Sequence, residues 1–264
     1  MPVELTVVGS INLDLVARVH ELPRPGETVT ASSYARYPGG KGANQAVAAA
    51  RLGAHVRFIG AIGEDGFAQE ALAGLRAAGV ELDLAQTGST GIALIFVADD
   101  GETQIVVVPG ANAAVPPTFA TGAVLCQLEV PDEVVSAAAA SADFFALNAA
   151  PARPIEVEPD LLIVNRMEYD VVSRGRLVAV TQGAEDALLL ERGREIARAT
   201  PPTVDAVDGT AAGDAFAACL VVSLLEGRPR EEALRRACAA GALAASRPGA
   251  QPSLPSAAEV DALL

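Results

Sequence analysis

Residues 39–62 read GGKGANQAVAAARLGAHVRFIGAI. The Ala-rich run Gly42–Leu52 favours a helix, because alanine gives up no side-chain freedom in one. Gly53 supplies the stop. Val56–Ile62 then follows as an apolar run of strand length. Upstream, Leu5–Val8 is a second such run, ending at Gly9-Ser10. Downstream, Phe67–Ala78 carries Phe67, Leu72 and Leu75 near helical spacing and ends at Gly79. Strand, helix, strand, helix with short connections predicts an α/β fold, a mostly parallel central sheet with helices outside.

Two segments interrupt that rhythm. Thr28–Tyr37 is polar and β-rich. Ile92–Ala98 and Thr103–Val108, joined by Asp99-Asp100-Gly101-Glu102, predict a hairpin. Together they predict a small β-sheet lid. A single domain over 1–264 is expected, with lid strands inserted at about 12–40 and 90–109. Leu161–Val164 and Leu177–Thr181 read as core strands, and Asp214–Glu226 and Arg230–Ala245 as helices.

Composition removes several function classes. The 264 residues carry 33 Asp+Glu against 19 Lys+Arg, a net charge of −14. That balance argues against a nucleic-acid partner, which needs a basic face. No apolar stretch has the length of a membrane span, and the start lacks the basic region of a signal peptide. Cys126, Cys219 and Cys238 are odd in number and far apart, so neither disulfides nor a zinc site is expected, and a cytoplasmic location fits. Lys41 is the single lysine beside 18 arginines.

Four motifs carry chemistry. Val207–Phe216, VDGTAAGDAF, places small residues before a long apolar helix. Outward-facing backbone N–H groups there make an anion site, and Asp214 falls in the first helical turn, where the dipole favours its ionised form. A capping aspartate is the plainer alternative. Pro38–Gln45 is Gly-rich and opens a helix, but it lacks the spacing of a P-loop or a dinucleotide fingerprint. Asn12 and Asp14 alternate just past a strand end, where α/β sheets bind ligands. Asn165-Arg166-Met167-Glu168 offers oxygen ligands suited to Mg²⁺, with helix capping as the alternative.

In this order the motifs resemble one family, the PfkB carbohydrate kinases, and within it the ribokinase branch. The segments that carry the resemblance are GSINLD at 9–14, GGKGANQAVAAARLGA at 39–54, PGANAAV at 109–115, QLEVP at 127–131, AVDGTAAGDAF at 206–216 and GAQPSLP at 249–255. The resemblance implies a ribokinase-like fold and ATP-dependent phosphorylation of D-ribose at the 5-hydroxyl. It implies that Asn12, Asp14, Gly40, Lys41, Asn44 and Glu129 hold the sugar and that Asp214 is the base. Ala211, Ala212 and Gly213 would form the anion hole. Asn165 and Glu168 would position Mg²⁺ and the phosphates, and Thr181 and Gly183 would lie on the nucleotide loop. A potassium ion would be held by Asp208, Thr210, Ala244, Arg247, Gly249 and Ser253. A homodimer through the lid is also implied. The alternatives are a kinase for another pentose or a nucleoside, or a weakly catalytic sugar-binding homologue.

The chain departs from the family in its nucleotide half. It is shorter than the resemblance predicts, with losses between Ala114 and Leu125 and between Tyr169 and Val178. Asp186 stands where a second glycine is usual. A carboxylate there is expected to repel a triphosphate, so the sequence predicts weak ATP binding.

Overall fold

The computed structural model describes residues 2–264. In chain order the first part runs β1 (Glu4–Val8), β2 (Asn12–Arg18), β3 (Ser33–Gly39), α1 (Lys41–Arg51), β4 (His55–Ile62), α2 (Ala68–Ala71), α3 (Ala73–Ala77), β5 (Glu81–Gln86), β6 (Gly91–Val97) and β7 (Thr103–Val108). There follow β8 (Ala123–Gln127), α4 (Asp132–Ser141), β9 (Phe144–Asn148), β10 (Leu161–Asn165), α5 (Arg166–Tyr169), β11 (Leu177–Gln182), β12 (Glu185–Glu191) and β13 (Arg194–Ala199). The chain closes with α6 (Ala212–Leu225), α7 (Arg230–Ala245) and α8 (Ala257–Ala262).

The large sheet has nine strands in the order β13-β12-β11-β10-β9-β8-β1-β4-β5. From β5 to β11 all neighbours pair in parallel, and β12 and β13 add an antiparallel edge. The central strands are mostly apolar, with polar residues toward their ends, as a sheet buried on both faces requires. One face packs against α1, α3, α6, α7 and α8 through residues such as Val47, Leu75, Phe216, Leu220 and Leu234. The other packs against α4 and irregular segments, through Val134, Val135, Val115 and Ala120. The four-stranded lid has the order β3-β2-β6-β7. Asn12 pairs with Gly91 at its root, and β6 and β7 pair antiparallel from Ile92↔Val108 to Val97↔Thr103.

Some expectations need adjusting. The stretch Phe67–Ala78 forms two short helices that break at Leu72. Gly74 lies just past the break with the Gln251 side chain against it, and a Cβ there would fall 1.7 Å from the Gln251 amide oxygen. Within Thr28–Tyr37 only the part from Ser33 pairs, and the strand runs on to Gly39. Its Pro38 is tolerated because β3 is a lid edge. Where the sequence looked short, residues 115–122 and 170–176 connect their neighbours without a helix or strand.

Candidate active site

The root of the lid and the strand ends of the large sheet enclose a cleft of about 440 Å³. Asn12 and Asp14 alternate along β2 and so face the same side. Gly40, with φ +89°, caps α1. A side chain at that position would strain the turn and press on the Asn12 backbone at 2.7 Å. The turn brings Lys41 and Asn44 to the same cleft, where Glu129 from the segment after β8 also lies. Glu129 accepts hydrogen bonds from the Ser10 hydroxyl and, at 3.0 Å, from the Lys41 backbone N–H.

Asp214 sits at the cleft floor, in the first turn of α6. One of its oxygens accepts from Asn44 Nδ2 at 2.9 Å and the other from Gln45 Nε2 at 2.9 Å. Ala211 caps α6 in the left-handed conformation, φ 61° and ψ 5°. A non-glycine residue held there stores strain of the kind found at ligand clamps. Ala211 and Gly213 line the cleft beside Asp214.

The charges are crowded. Burial pushes the Asp14 carboxyl up to about 7, with Glu129 and Asp214 adding to the effect. Burial also raises Asp214, and Glu129 adds to this, while the Lys41 ammonium and the Asn44 and Gln45 amides oppose it. Desolvation thus outweighs the helix position that the sequence reading emphasised. Lys41 is the counterweight. Burial works against its charge, but Asp214, Glu129 and Glu168 more than compensate and hold its pKa above the usual lysine value.

A second, apolar pocket of about 470 Å³ adjoins the cleft. Thr181, Gly209, Gly213 and Phe216 border both. Gly183 and Ala212 line the second, with Pro201, Pro202 and Val204 on one wall and Cys238, Gly241, Ala242 and Ala245 of α7 on another. Asp186 is not in its lining. Its carboxylate accepts from Thr200 Oγ1 at 2.6 Å and from Arg198 at 3.1 Å, and these two hydrogen bonds hold its pKa below the usual range. The expected repulsion of a triphosphate therefore has no geometric basis, because the charge is paired within the β12–β13 hairpin.

For Asn165 and Glu168 the structure shows the capping role and places both at the cleft. They form a reciprocal cap, with Glu168 N–H donating to Asn165 Oδ1 at 2.8 Å and Asn165 N–H donating to Glu168 Oε2 at 2.7 Å. Both also line the cleft. Of the six residues implied for potassium, only Thr210 lines it. Asp208 accepts from Thr210 N–H at 2.9 Å and from Gly249 N–H at 2.8 Å. Burial alone would raise Asp208, but these hydrogen bonds hold it below its ordinary value. The Ala244 carbonyl takes the Arg247 N–H at 3.2 Å, the Arg247 side chain pairs with Glu259, and Ser253 Oγ donates to the Ala250 carbonyl. The 207–210 and 244–253 segments thus meet, but the Arg247 side chain is committed elsewhere.

Sequence reasoning missed a buried set of amides. Asn112 accepts from the Ile11 N–H at 2.8 Å and donates to the Ile11 carbonyl at 3.0 Å and to Asn12 Oδ1 at 2.8 Å. Gly91 makes room for it, since a Cβ there would lie 2.3 Å from Asn112 and from Asn12. Gln45, Gln127 and Asn148 also escaped notice, as did the α7 wall. That wall had a signal: Cys238, Gly241, Ala242 and Ala245 are small residues at i, i+3, i+4 and i+7.

Comparison with known proteins gives the family of the chain. The model of the pfkB family of carbohydrate kinases matches residues 3–149 and 131–257. Ribokinase of Bacillus subtilis (strain 168) is 36% identical over 291 aligned positions, covering 98% of this chain and 99% of that protein. The crystal structure of ribokinase from Thermotoga maritima superposes with a TM-score of 0.88 at 31% identity, covering 100% of this chain and 99% of that one. Arabidopsis thaliana ribokinase complexed with ribose and ATP superposes at 0.85 with 29% identity, covering 100% and 99%. The cleft, the Asp214 turn and the adjoining pocket therefore belong to a sugar kinase, and the chain is a member of the pfkB family of carbohydrate kinases.

Proposed function

We propose that the protein is a ribokinase, transferring the γ-phosphoryl group of ATP to the 5-hydroxyl of D-ribose. The observation that carries this reading is the position of Asp214. It is a buried carboxylate at the junction of a polar cleft and an apolar pocket, with amide donors on both oxygens.

The polar cleft takes the sugar. Asp14 and Glu129 accept from hydroxyls, and Asn12, Asn44 and Lys41 supply donors and acceptors beside them. The apolar pocket takes the purine, so the triphosphate crosses the strained start of α6. Asp214 accepts the proton of the 5-hydroxyl as its oxygen bonds to the γ-phosphorus and the bond to the β-phosphate oxygen breaks, giving ribose 5-phosphate and ADP. It acts as the carboxylate, the form that its two amide donors favour. Backbone N–H groups of Ala211 and Gly213 stabilise the charge on the transferring group, whereas the Ala212 N–H that the sequence also offered donates to the Gly209 carbonyl at 3.2 Å. This reaction needs little more than positioning and charge stabilisation.

Asn165 and Glu168 form an oxygen donor set at the cleft wall that suits Mg²⁺ held through water. When bound, that ion neutralises phosphate charge. Asp208, Thr210 and backbone carbonyls of Ala244, Arg247, Gly249 and Ser253 are the donors for K⁺, whose binding would steady the loops behind the anion hole. The exposed β7 residues Ile105, Val106 and Val107 support pairing of two lids in a homodimer. Three free, buried cysteines fit a reducing cytoplasm. Among the described residues no helix is long and apolar enough to cross a membrane.

A coupled ADP-release assay tests the reading. Ribose, 2-deoxyribose, other pentoses and nucleosides are compared with and without K⁺, and sedimentation gives the oligomeric state. D-ribose is expected to give the highest kcat/KM, with stimulation by K⁺. A nucleoside that outperforms ribose, or sugar binding with no ADP release, would replace this reading.

A further inference from the structure

The catalytic aspartate is held by an amide chain whose direction is set far from it. Asn148 Nδ2 donates to the Ile163 carbonyl at 3.1 Å. A carbonyl only accepts, so this contact decides which way round the Asn148 amide lies. Asn148 Oδ1 must then face Gln45, and it accepts from Gln45 Nε2 at 2.9 Å. On the other side Gln127 Nε2 donates to Gln45 Oε1 at 2.6 Å. The Asn148 contact fixes the Gln45 amide and the Gln127 donor agrees with it, so the atom Gln45 turns to Asp214 Oδ1 is the nitrogen, at 2.9 Å. Gln45 and Gln127 have no exposed surface. Three strands of the sheet thus reach Asp214 through one side chain of α1: β8 with Gln127, β9 with Asn148 and β10 with Ile163.

We propose that Gln45 is the positioning residue of the base. Locked by Asn148 and Gln127, it presents an N–H to Asp214 Oδ1 and so favours the carboxylate over the carboxylic acid. This rests on the assignment of Asp214 as the base. The groups that charge its surroundings are Lys41 of α1, which favours the carboxylate, and Glu129 and Asp14, which oppose it. Burial and the two acids push Asp214 toward its neutral form, and the N–H groups of Gln45 and Asn44, with the Lys41 ammonium, are what oppose them. A glutamine fixed the other way would offer its carbonyl oxygen and reverse the effect.

The test is the pH profile of kcat in Gln45→Met, which keeps the bulk and removes the donor. Loss of a hydrogen bond to a charged group is expected to lower kcat about tenfold and move the acid limb about one pH unit higher. The ribose KM should stay within about threefold, since Gln45 touches the base and not the sugar. Gln127→Met, which loosens Gln45 without touching Asp214, should shift the limb in the same direction by less. If Gln45→Met does not fold, Gln127→Met decides alone. An acid limb that stays in place in whichever variant folds, or a rise in KM without a change in kcat, would overturn the proposal. Asp214→Asn runs alongside. Full activity in that variant would remove the base assignment itself, whereas its inactivity together with an unmoved limb in the others would sink the role of Gln45 alone.

Discussion

The two halves of the site are built from different materials. The polar cleft uses side chains: four carboxylates, four asparagines and the protein's single lysine line it. The adjoining pocket is almost all hydrocarbon and backbone, with prolines on one wall and small residues of α7 on the other. The chemistry of the ligands explains the division. A small polyol offers little surface, so it must be recognised by directional and charged hydrogen bonds. A flat purine can be held by burial in a slot, which needs shape more than particular functional groups. One half therefore tolerates almost no substitution, and the other should tolerate any that preserves its volume.

The largest effect is expected where the halves meet. Asp214→Asn keeps the shape and an oxygen for the Gln45 N–H but removes the proton acceptor. General-base catalysis is worth about 10²–10⁴ in rate. Turnover should fall by that much, with ribose affinity by calorimetry mostly retained. Unchanged turnover would take Asp214 out of the mechanism.

Next comes the sugar half. Asp14→Ala should weaken ribose binding by about 1.5–3 kcal/mol, or roughly 10- to 150-fold, and leave ATP binding unaltered. Asp14→Asn adds a stability signature. With a folded pKa near 7 against 3.8 in the unfolded chain, the folded state keeps a proton that the unfolded chain has released. The stability Asp14 contributes is thus complete below about pH 4 and is lost as pH rises through 7. Asparagine has no proton to lose, so the variant should melt above the native protein at pH 8 and close to it at pH 4–5. The gap is at most about 4 kcal/mol. Equal melting temperatures at pH 8 would show that the cleft does not burden the carboxylate.

The nucleotide half should fail by volume alone. Ala242→Leu adds three carbons to the α7 wall of the pocket. Overpacking of this kind costs about 1–2 kcal/mol, so the ATP KM should rise about tenfold with the ribose KM unchanged. A rise in the ribose KM instead would mean that the two halves are not separable as described.

This division also sets what the sequence could reveal. The α/β core was legible because Leu5–Val8, Val56–Ile62, Leu161–Val164 and Leu177–Thr181 are mostly apolar runs of strand length. The β12–β13 hairpin was not. Its strands mix charge with leucine, and its turn places Arg192 and Gly193 both at positive φ without the usual asparagine. The sugar residues stood out because carboxylates, amides and glycines cluster in short motifs. The amides Gln45, Gln127 and Asn148 lie in three separate segments, and only folding joins them. The α7 wall of the apolar pocket was hidden in an alanine-rich helix that reads as ordinary core.

Asp186 is the position where these two kinds of reading collide, and the smallest effect is expected there. By sequence it is a negative charge in a phosphate-facing loop, and its replacement by glycine should help ATP. By structure it is the partner of Thr200 and Arg198, and it also shares Arg198 with Glu195. Its charge is spent within the hairpin, on a surface where salt screens what remains. Asp186→Gly should therefore leave the ATP KM within about twofold, at low salt and at high salt alike. It should also lower the melting temperature slightly, because Thr200 loses its acceptor, Arg198 keeps only Glu195, and a glycine enters β12. A salt-dependent gain in ATP affinity would restore the repulsion argument. It would show that the carboxylate leaves Arg198 when nucleotide binds, and that the contrast between a charged half and a neutral half holds only for the empty site.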